Sequence, residues 1–367
     1  MLIALNLLYL IPGVVGGTET YAVSLIQALA REDSENEYLV YLSSEAADID
    51  VTPAPNFRRI VTPVVAMQRA MRYAWEQAVL PMQLRSEKPA LIHSLGYVIP
   101  LAASAPQVVT VHDVNFLGHS GRRTAIGRKA FGFFVEKTVK RASHIITVSE
   151  FSKREVVKYL HVDPARITAV HSAGRELTEP TAPASSLLED IPRPYIMAFS
   201  SLSAHKNIDR LISAFAKIAP DVPHSLVLVG HLPEKGGVSA TDHASIADRI
   251  IFTGFIPDAD VDALLRSASL FAFPSLYEGF GLPVLDAQHA GVPVACSSAA
   301  ALPEVAGEGA LLFDPNSVDE MAEALKRGLL DMDLRNRLIA AGNENASQYS
   351  WDRTARETLA VYAKVAS

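Results

Sequence analysis

The chain has 367 residues, 49% of them hydrophobic and 20% charged, a length and balance that favour two globular domains and exclude a disordered or fibrous protein. Its net charge of −7 argues against nucleic acid as a partner, and that charge is uneven: +2 over residues 1–180 (19 basic and 17 acidic side chains) against −9 over residues 181–367 (14 and 23). The single cysteine, Cys296 in the apolar run VPVACSS, excludes an internal disulfide and reads as a buried structural thiol, and no Cys/His cluster has zinc spacing.

The N-terminal MLIALNLLYLIPG is apolar but lacks a basic flank and breaks at Pro12. It is too short to span a bilayer and reads as a buried first strand. With no other spanning segment, the expected location is cytoplasmic, with a membrane visited at most from its surface. Gly16 and Gly17 follow, and Thr18 or Thr20 is placed to cap a helix over about Tyr21–Arg31, whose apolar positions Tyr21, Leu25, Ile26 and Leu29 have helical spacing. Strand, glycine turn and helix can offer backbone N–H groups to a phosphate, although a glycine pair serves any tight turn.

Short apolar runs then recur at Tyr38–Leu42, Ile60–Val61, Ala90–His93, Val108–His112, His144–Val148 and Ile167–Val170. Helical-looking stretches separate several of them, which predicts a parallel, doubly wound sheet with ligands beyond the carboxyl ends of its strands. Two such ends carry chemistry. VVTVHDVNF places His112 and Asp113 directly after a strand, where a histidine is most often a satisfied structural residue. HIITVSEFSKREVV places Ser149 and Glu150 after the next, where they serve equally as helix caps. Between them, residues 120–142 interleave Arg122, Arg123, Arg128, Lys129, Lys137, Lys140 and Arg141 with Phe131, Phe133 and Phe134. That pattern fits a core-facing helix with a solvated basic face, or a segment lying on an anionic membrane.

Residues 174–194, with prolines at 180, 183, 192 and 194, read as a linker between a domain over 1–173 and a second over 195–347. The second opens with a strand, Tyr195–Phe199, a polar loop carrying Ser200, Ser201, His205 and Lys206, and a helix from about Asn207 that ends before Pro220. Lys206 near a helix N-terminus opposes the helix dipole, which points to an anion nearby. HSLVLVG (224–230) reads as a buried strand ending in Gly230, and residues 248–268 as strand, turn and helix, with Gly254 and Phe255 in the turn.

The most informative stretch is FPSLYEGFGLPVLDAQHAGVP, residues 273–293. It closes an apolar strand, passes through Gly279 and Gly281, and enters a helix in which Pro283 suits the first position and Gly291 the end. The amides from Gly279 through Phe280 and Gly281 to Leu282, with the positive helix end behind them, suit an anion. Glu278 and Asp286 bracket this loop, and carboxylates suit sugar hydroxyls rather than phosphate. A ligand that is phosphate in the middle and polyol at both ends is a nucleotide sugar. Asp286 alone also reads as a carboxylate in the first helical turns, stabilised by the dipole by about 0.3–1 kcal/mol.

PSLYEGFGLPVLDA resembles the signature of the retaining glycosyltransferases of family 4, in which an acid, seven residues and a second acid recur; here the acids are Glu278 and Asp286. The likeness covers the second domain nearly end to end and is patchier in the first. It implies the α/β GT-B fold: two Rossmann-like doubly wound domains facing across a cleft, with residues 348–367 forming a helix that crosses back to the first domain. It also implies that Glu278 binds hydroxyls of the donor sugar and that Asp286, one methylene shorter than the usual Glu, binds the ribose. Lys206 and Asn207 match the family's basic pair and asparagine, with His205 at the usual Arg and Ser200 replacing a frequent Gly. By resemblance His112 contacts the donor sugar near its anomeric centre, while Asp113 orients the imidazole or addresses the acceptor hydroxyl. Gly16 and Gly17 approach the donor phosphates; Ser201, His205 and Asn207 line the donor; Gly230, Gly254 and Phe255 lie near the base.

The implied chemistry is metal-independent, retaining transfer of a hexose from a nucleoside diphosphate sugar, GDP-mannose first and UDP-glucose second. The acceptor is a saccharide or lipid-linked oligosaccharide of polysaccharide biosynthesis, at the inner face of the plasma membrane. The alternatives are a GT-B sugar-nucleotide epimerase and a non-catalytic nucleotide-sugar scaffold or sensor.

Overall fold

The structure is a computed structural model that describes residues 1–117, 125–175, 188, 190–201, 203–231 and 244–366, the side chains of 125–130 and 244 excepted. Residues 118–124 of the basic segment and most of the expected linker therefore lie outside the described residues. Among those described, the chain forms two compact units, one from residues 1–117, 125–173 and 349–366, the other from 174–348.

The first unit runs β1 (Leu2–Leu7), α1 (Gly17–Glu32), β2 (Glu37–Leu42), β3 (Phe57–Val61), α2 (Arg69–Ala78), α3 (Leu80–Glu87), β4 (Leu91–Ser94), β5 (Gln107–Val111), α4 (Ala125–Arg141), β6 (His144–Thr147), α5 (Glu150–Leu160) and β7 (Ile167–Ala169). The strands pair in parallel in the order β3-β2-β1-β4-β5-β6-β7. Alternate residues feed opposite faces: Ala4, Leu39, Tyr41 and Ile92 join a cluster with Leu80 and Leu84 of α3. Val109, Val111 and Ile145 join another with Val135 and Val139 of α4 and Val156 of α5. Each such side chain, fully buried, contributes roughly 1.5–3 kcal/mol. Helix α1 begins earlier than expected, because Gly16 at φ 58° turns the chain into it directly. Thr18 and Thr20 consequently lie within the helix and cap nothing, and Thr18 Oγ1 donates back to the Val15 carbonyl at 3.0 Å. Ser149 does cap α5, accepting from Ser152 N–H at 2.9 Å.

The second unit runs β8 (Tyr195–Ser200), α6 (Ile208–Ile218), β9 (Ser225–Gly230), β10 (Ile250–Gly254), α7 (Asp258–Ser267), β11 (Leu270–Phe273), α8 (Leu282–His289), β12 (Val294–Ser297), α9 (Leu302–Ala306), β13 (Ala310–Phe313), α10 (Val318–Leu330) and α11 (Met332–Ser347). Its sheet is also parallel, ordered β10-β9-β8-β11-β12-β13. Successive residues of β8 part company: Ile196 and Ala198 pack under α6 and α10, whereas Tyr195 and Met197 pack under α7 and α8. The helical run after β13 is broken at Asp331, which ends α10 and caps α11 through Leu334 N–H at 2.9 Å. Cys296 is buried in β12 and its thiol is pushed up to about 12 by that burial.

The last helix, α12 (Trp351–Ala366), belongs to the first unit and lies along α1. Arg31–Asp352 and Arg356–Glu32 pair across them at 2.6 and 2.8 Å, exposed contacts worth little alone. A buried chain of hydrogen bonds does more: Tyr362 Oη lies 2.6 Å from His93 Nδ1, and His93 Nε2 lies 2.9 Å from Thr110 Oγ1. No helix among the described residues is long and apolar enough to cross a membrane.

Candidate active site

The second unit gathers most of the predicted donor residues at the carboxyl ends of β8 to β12. The turn Ala204–Lys206 is stitched to the loop after β11 by Leu276 N–H, which donates to the His205 carbonyl at 2.7 Å. This stitching brings Lys206 Nζ to 2.6 Å from Glu278 Oε1, with the ammonium 5.0 Å from the centre of the Phe273 ring. Both side chains are only partly buried, so the pair is reachable from solvent. The Glu278 carbonyl in turn accepts Ala301 N–H at 3.3 Å, and the preceding Ala300 holds a left-handed φ of 57°.

Behind this pair α8 starts at Leu282, with Pro283 in its first turn and no side chain capping it. Its N-cap Gly281 has φ 128°, and a Cβ there would meet Leu302 Cδ2 at 2.6 Å. Glycine is thus required twice over, by conformation and by space. Phe280 is buried, so what it and Gly279 present to a ligand is backbone. A cation, a carboxylate and a positively polarised helix end stand together, an arrangement that can hold an anion beside a polyol.

Three expected donor residues do other work. Asn207 is buried at φ 60°; its Nδ2 donates to the carbonyls of Pro274 at 3.0 Å and Pro315 at 2.7 Å, and its Oδ1 accepts from Arg210 at 2.9 Å. Its side chain braces two loops against each other. Gly230 is glycine because a Cβ would meet the Ser200 carbonyl at 2.5 Å, and Ser200 Oγ donates to the His231 carbonyl at 2.7 Å, locking β8 to β9. Asp286, expected on a ribose, is 3% exposed, and Arg175 takes both its oxygens, N–H to Oδ1 at 2.7 Å and Nε to Oδ2 at 3.3 Å. Arg175 lies 3.1 Å from Asp262 as well. Burial pushes the Asp286 carboxyl up from its ordinary value, and Arg175 works against that.

Ser201 is half-buried and accepts Ser203 N–H at 3.2 Å. Gly254 has φ 71° with open space around it, and Phe255 beside it is 73% exposed. The Phe255 ring meets His231 edge to face, 4.7 Å between centroids. His231 escaped the sequence reading, although the strand-end rule that singled out His112 applies to it equally. Arg175 left no signal.

In the first unit, Gly16 and Gly17 are exposed, and a Cβ on Gly16 would meet nothing within 4 Å. Glu19 steadies that turn by accepting Gly13 N–H at 2.8 Å. His112 is buried at the end of β5, with Nε2 2.9 Å from the Leu95 carbonyl and the Tyr21 ring edge-on at 4.8 Å. Burial lowers its pKa to about 4, so the imidazole is neutral near pH 7. A carbonyl only accepts; Nε2 therefore carries the proton and Nδ1 is an acceptor. Asp113 Oδ1 accepts from Tyr97 Oη and Asn115 N–H, each at 3.1 Å. Among the described residues no group of three His, Cys, Asp or Glu is placed to hold a metal.

Two family models match the chain, "Glycosyltransferase Family 4" over residues 15–173 and "Glycosyl transferases group 1" over residues 185–345. O-antigen chain mannosyltransferase B of Escherichia coli is 29% identical over 292 residues, 76% of this chain and 75% of that one. The serotype-specific mannosyltransferase WbdA of Escherichia coli is 28% identical over 298 residues, 74% of this chain, which spans only 36% of that protein. Sucrose-phosphate synthase from Thermosynechococcus elongatus shares the fold with a TM-score of 0.80 at 19% identity, over 99% of this chain and 98% of that one. Matched in both halves and in its two parallel sheets, the chain belongs to glycosyltransferase family 4 and has the GT-B fold.

Proposed function

We propose that the protein transfers a hexose from a nucleoside diphosphate sugar to a saccharide or lipid-linked oligosaccharide with retention of anomeric configuration. GDP-mannose is the first donor and UDP-glucose the second. The observation that carries this reading is the Lys206–Glu278 pair, 2.6 Å apart at the uncapped start of α8. Lys206 and the α8 amides suit a leaving diphosphate, on which charge develops as the bond to the anomeric carbon breaks. Glu278 suits sugar hydroxyls, and so does the acceptor Nδ1 of His112. The electron pair of the breaking C–O bond goes to the diphosphate. The acceptor oxygen bonds to the anomeric carbon from the same face, and its proton passes to the departing phosphate. This scheme needs no metal. Phe255, with His231 at its edge, offers an aromatic surface for a base.

The names of the curated relatives support mannose as the sugar and a bacterial polysaccharide as the product. Peripheral contact with the inner face of the plasma membrane is supported by α4, where Phe133 is 55% exposed beneath Lys137. Thermal stabilisation by GDP, UDP and ADP tests the donor: GDP should raise the midpoint most, and no response to any of the three overturns the assignment. Nuclear magnetic resonance of the product then reads the anomeric configuration. A non-catalytic nucleotide-sugar sensor is the second reading, favoured by the engagement of Asp286 with Arg175. A turnover assay separates the two: an enzyme transfers sugar, and Glu278→Gln and Lys206→Ala abolish that transfer, whereas a sensor binds the nucleotide sugar without turnover.

A further inference from the structure

Helix α2 buries two charged side chains one turn apart, Arg72 at 9% exposure and Glu76 at 3%. Neither is fully satisfied. Among the described residues Arg72 Nε has no hydrogen-bond acceptor and Glu76 Oε2 has no donor. The other oxygen, Glu76 Oε1, accepts from Asn6 Nδ2 at 2.7 Å. Asn6 is buried in β1, and its Nδ2 also reaches Ser94 Oγ at the end of β4, 3.2 Å away. Leaving buried polar atoms unpaired is costly, and native folds rarely do so without a use for them.

Their position narrows that use. Leu95 N–H donates to the Asn6 carbonyl at 3.2 Å, and the Leu95 carbonyl is the partner of His112. The Glu76 carboxylate is thus three hydrogen bonds from His112, through Asn6 and Leu95, at the carboxyl edge of the parallel sheet where α/β proteins place ligands. Tyr9 closes the neighbourhood: its ring lies so near Gly96 that a Cβ there would be 2.5 Å from it, and its hydroxyl donates to the Thr18 carbonyl at 3.1 Å. Arg72 keeps 9% of its surface exposed, whereas its Nε and Glu76 Oε2 are themselves buried.

The chemistry narrows it further. An anion would satisfy Arg72 but be repelled by Glu76, and a cation the reverse. A hydroxyl accepts from the guanidinium N–H and donates to the carboxylate in one group. We propose that Arg72 and Glu76 form a hydroxyl-recognising subsite for the acceptor saccharide. The assignment rests on the glycosyltransferase reading, because it takes the polyol on this unit to be an acceptor.

The test uses the full chain and α-linked mannobiose as probe, with deoxy analogues lacking one hydroxyl at a time. Saturation-transfer resonance measures saccharide affinity, and thermal stabilisation by GDP and UDP is followed in parallel. Glu76→Gln, which keeps the shape of the side chain, and Arg72→Met should each weaken mannobiose by about ten- to a hundredfold, the loss of one charge-assisted hydrogen bond. Stabilisation by nucleotide should be unchanged. One deoxy analogue should bind the unaltered chain as weakly as mannobiose binds Glu76→Gln, with no further loss when the two changes are combined. Mannobiose binding that is equal in all three chains, or absent from the unaltered chain while nucleotide still binds, overturns the subsite and leaves an internal polar node bridged by water. Saccharide binding without any nucleotide response instead overturns the transferase reading, and with it the acceptor role, while the recognition of a hydroxyl by Arg72 and Glu76 stands.

Discussion

Asn207 joins backbone carbonyls that lie 67 and 108 positions along the chain from it. Asn207→Ala strands both and should cost roughly 2–4 kcal/mol, read as a lowered urea midpoint. A group that only touched ligand would weaken nucleotide binding and leave that midpoint alone. Ala300 makes the opposite case. Its left-handed φ of 57° is costly for any residue with a Cβ, so Ala300→Gly should stabilise the fold by about 0.5–1 kcal/mol, measured the same way. Lys206 and Glu278 could be picked out in the sequence because each sits in a local pattern, an ammonium at a helix start and an acid before a glycine loop. The tasks of Asn207 and Asp286 could not, since their partners are remote in sequence; Arg175 is 111 positions from Asp286.

Two helix starts built on glycine differ in what they tolerate. At α8, Gly281→Ala adds a strained φ to a clash with Leu302, roughly 1–3 kcal/mol, and should weaken GDP binding by shifting the amides behind Glu278. At α1, Gly16→Ala meets open space and should cost only about 1–2 kcal/mol, from its φ of 58°. Urea midpoints and GDP titrations on the two variants separate these costs; a GDP affinity unmoved by Gly281→Ala would contradict a phosphate role for the α8 amides. Apolar runs announced most strands of both sheets to within a residue or two, because a strand buried on both faces needs little else; β3 starts at Phe57, three residues ahead of its run, because the exposed Arg58 interrupts it. Helix ends were less legible. Gly16 opened α1 ahead of the threonines, and Asp331 broke a stretch whose apolar spacing continues on either side of it.

At the scale of the molecule, acid should act on the first unit through three buried imidazoles, His144 of β6 being lowered to about 4 chiefly by its burial. Burial lowers His93 to about 3, with His112 adding to the effect, and lowers His112 to about 4. All three values lie below the ordinary 6.5, so the unfolded chain takes up protons first as pH falls. Stability from these groups is whole above about pH 6.5 and declines beneath it, by about 1.4 kcal/mol per histidine per pH unit. The urea midpoint of the first unit should therefore drop between about pH 7 and about pH 5, and a flat profile would contradict neutral burial of these imidazoles. The placement of α12 bears on the order in which a nascent chain matures. The second unit has all its strands and helices once residue 348 has left the ribosome, whereas the first, begun earlier, must wait for Tyr362 to reach His93. A chain arrested before that point would carry a finished second unit and an unfinished first, and the flank of α1 that α12 covers would be open to chaperones.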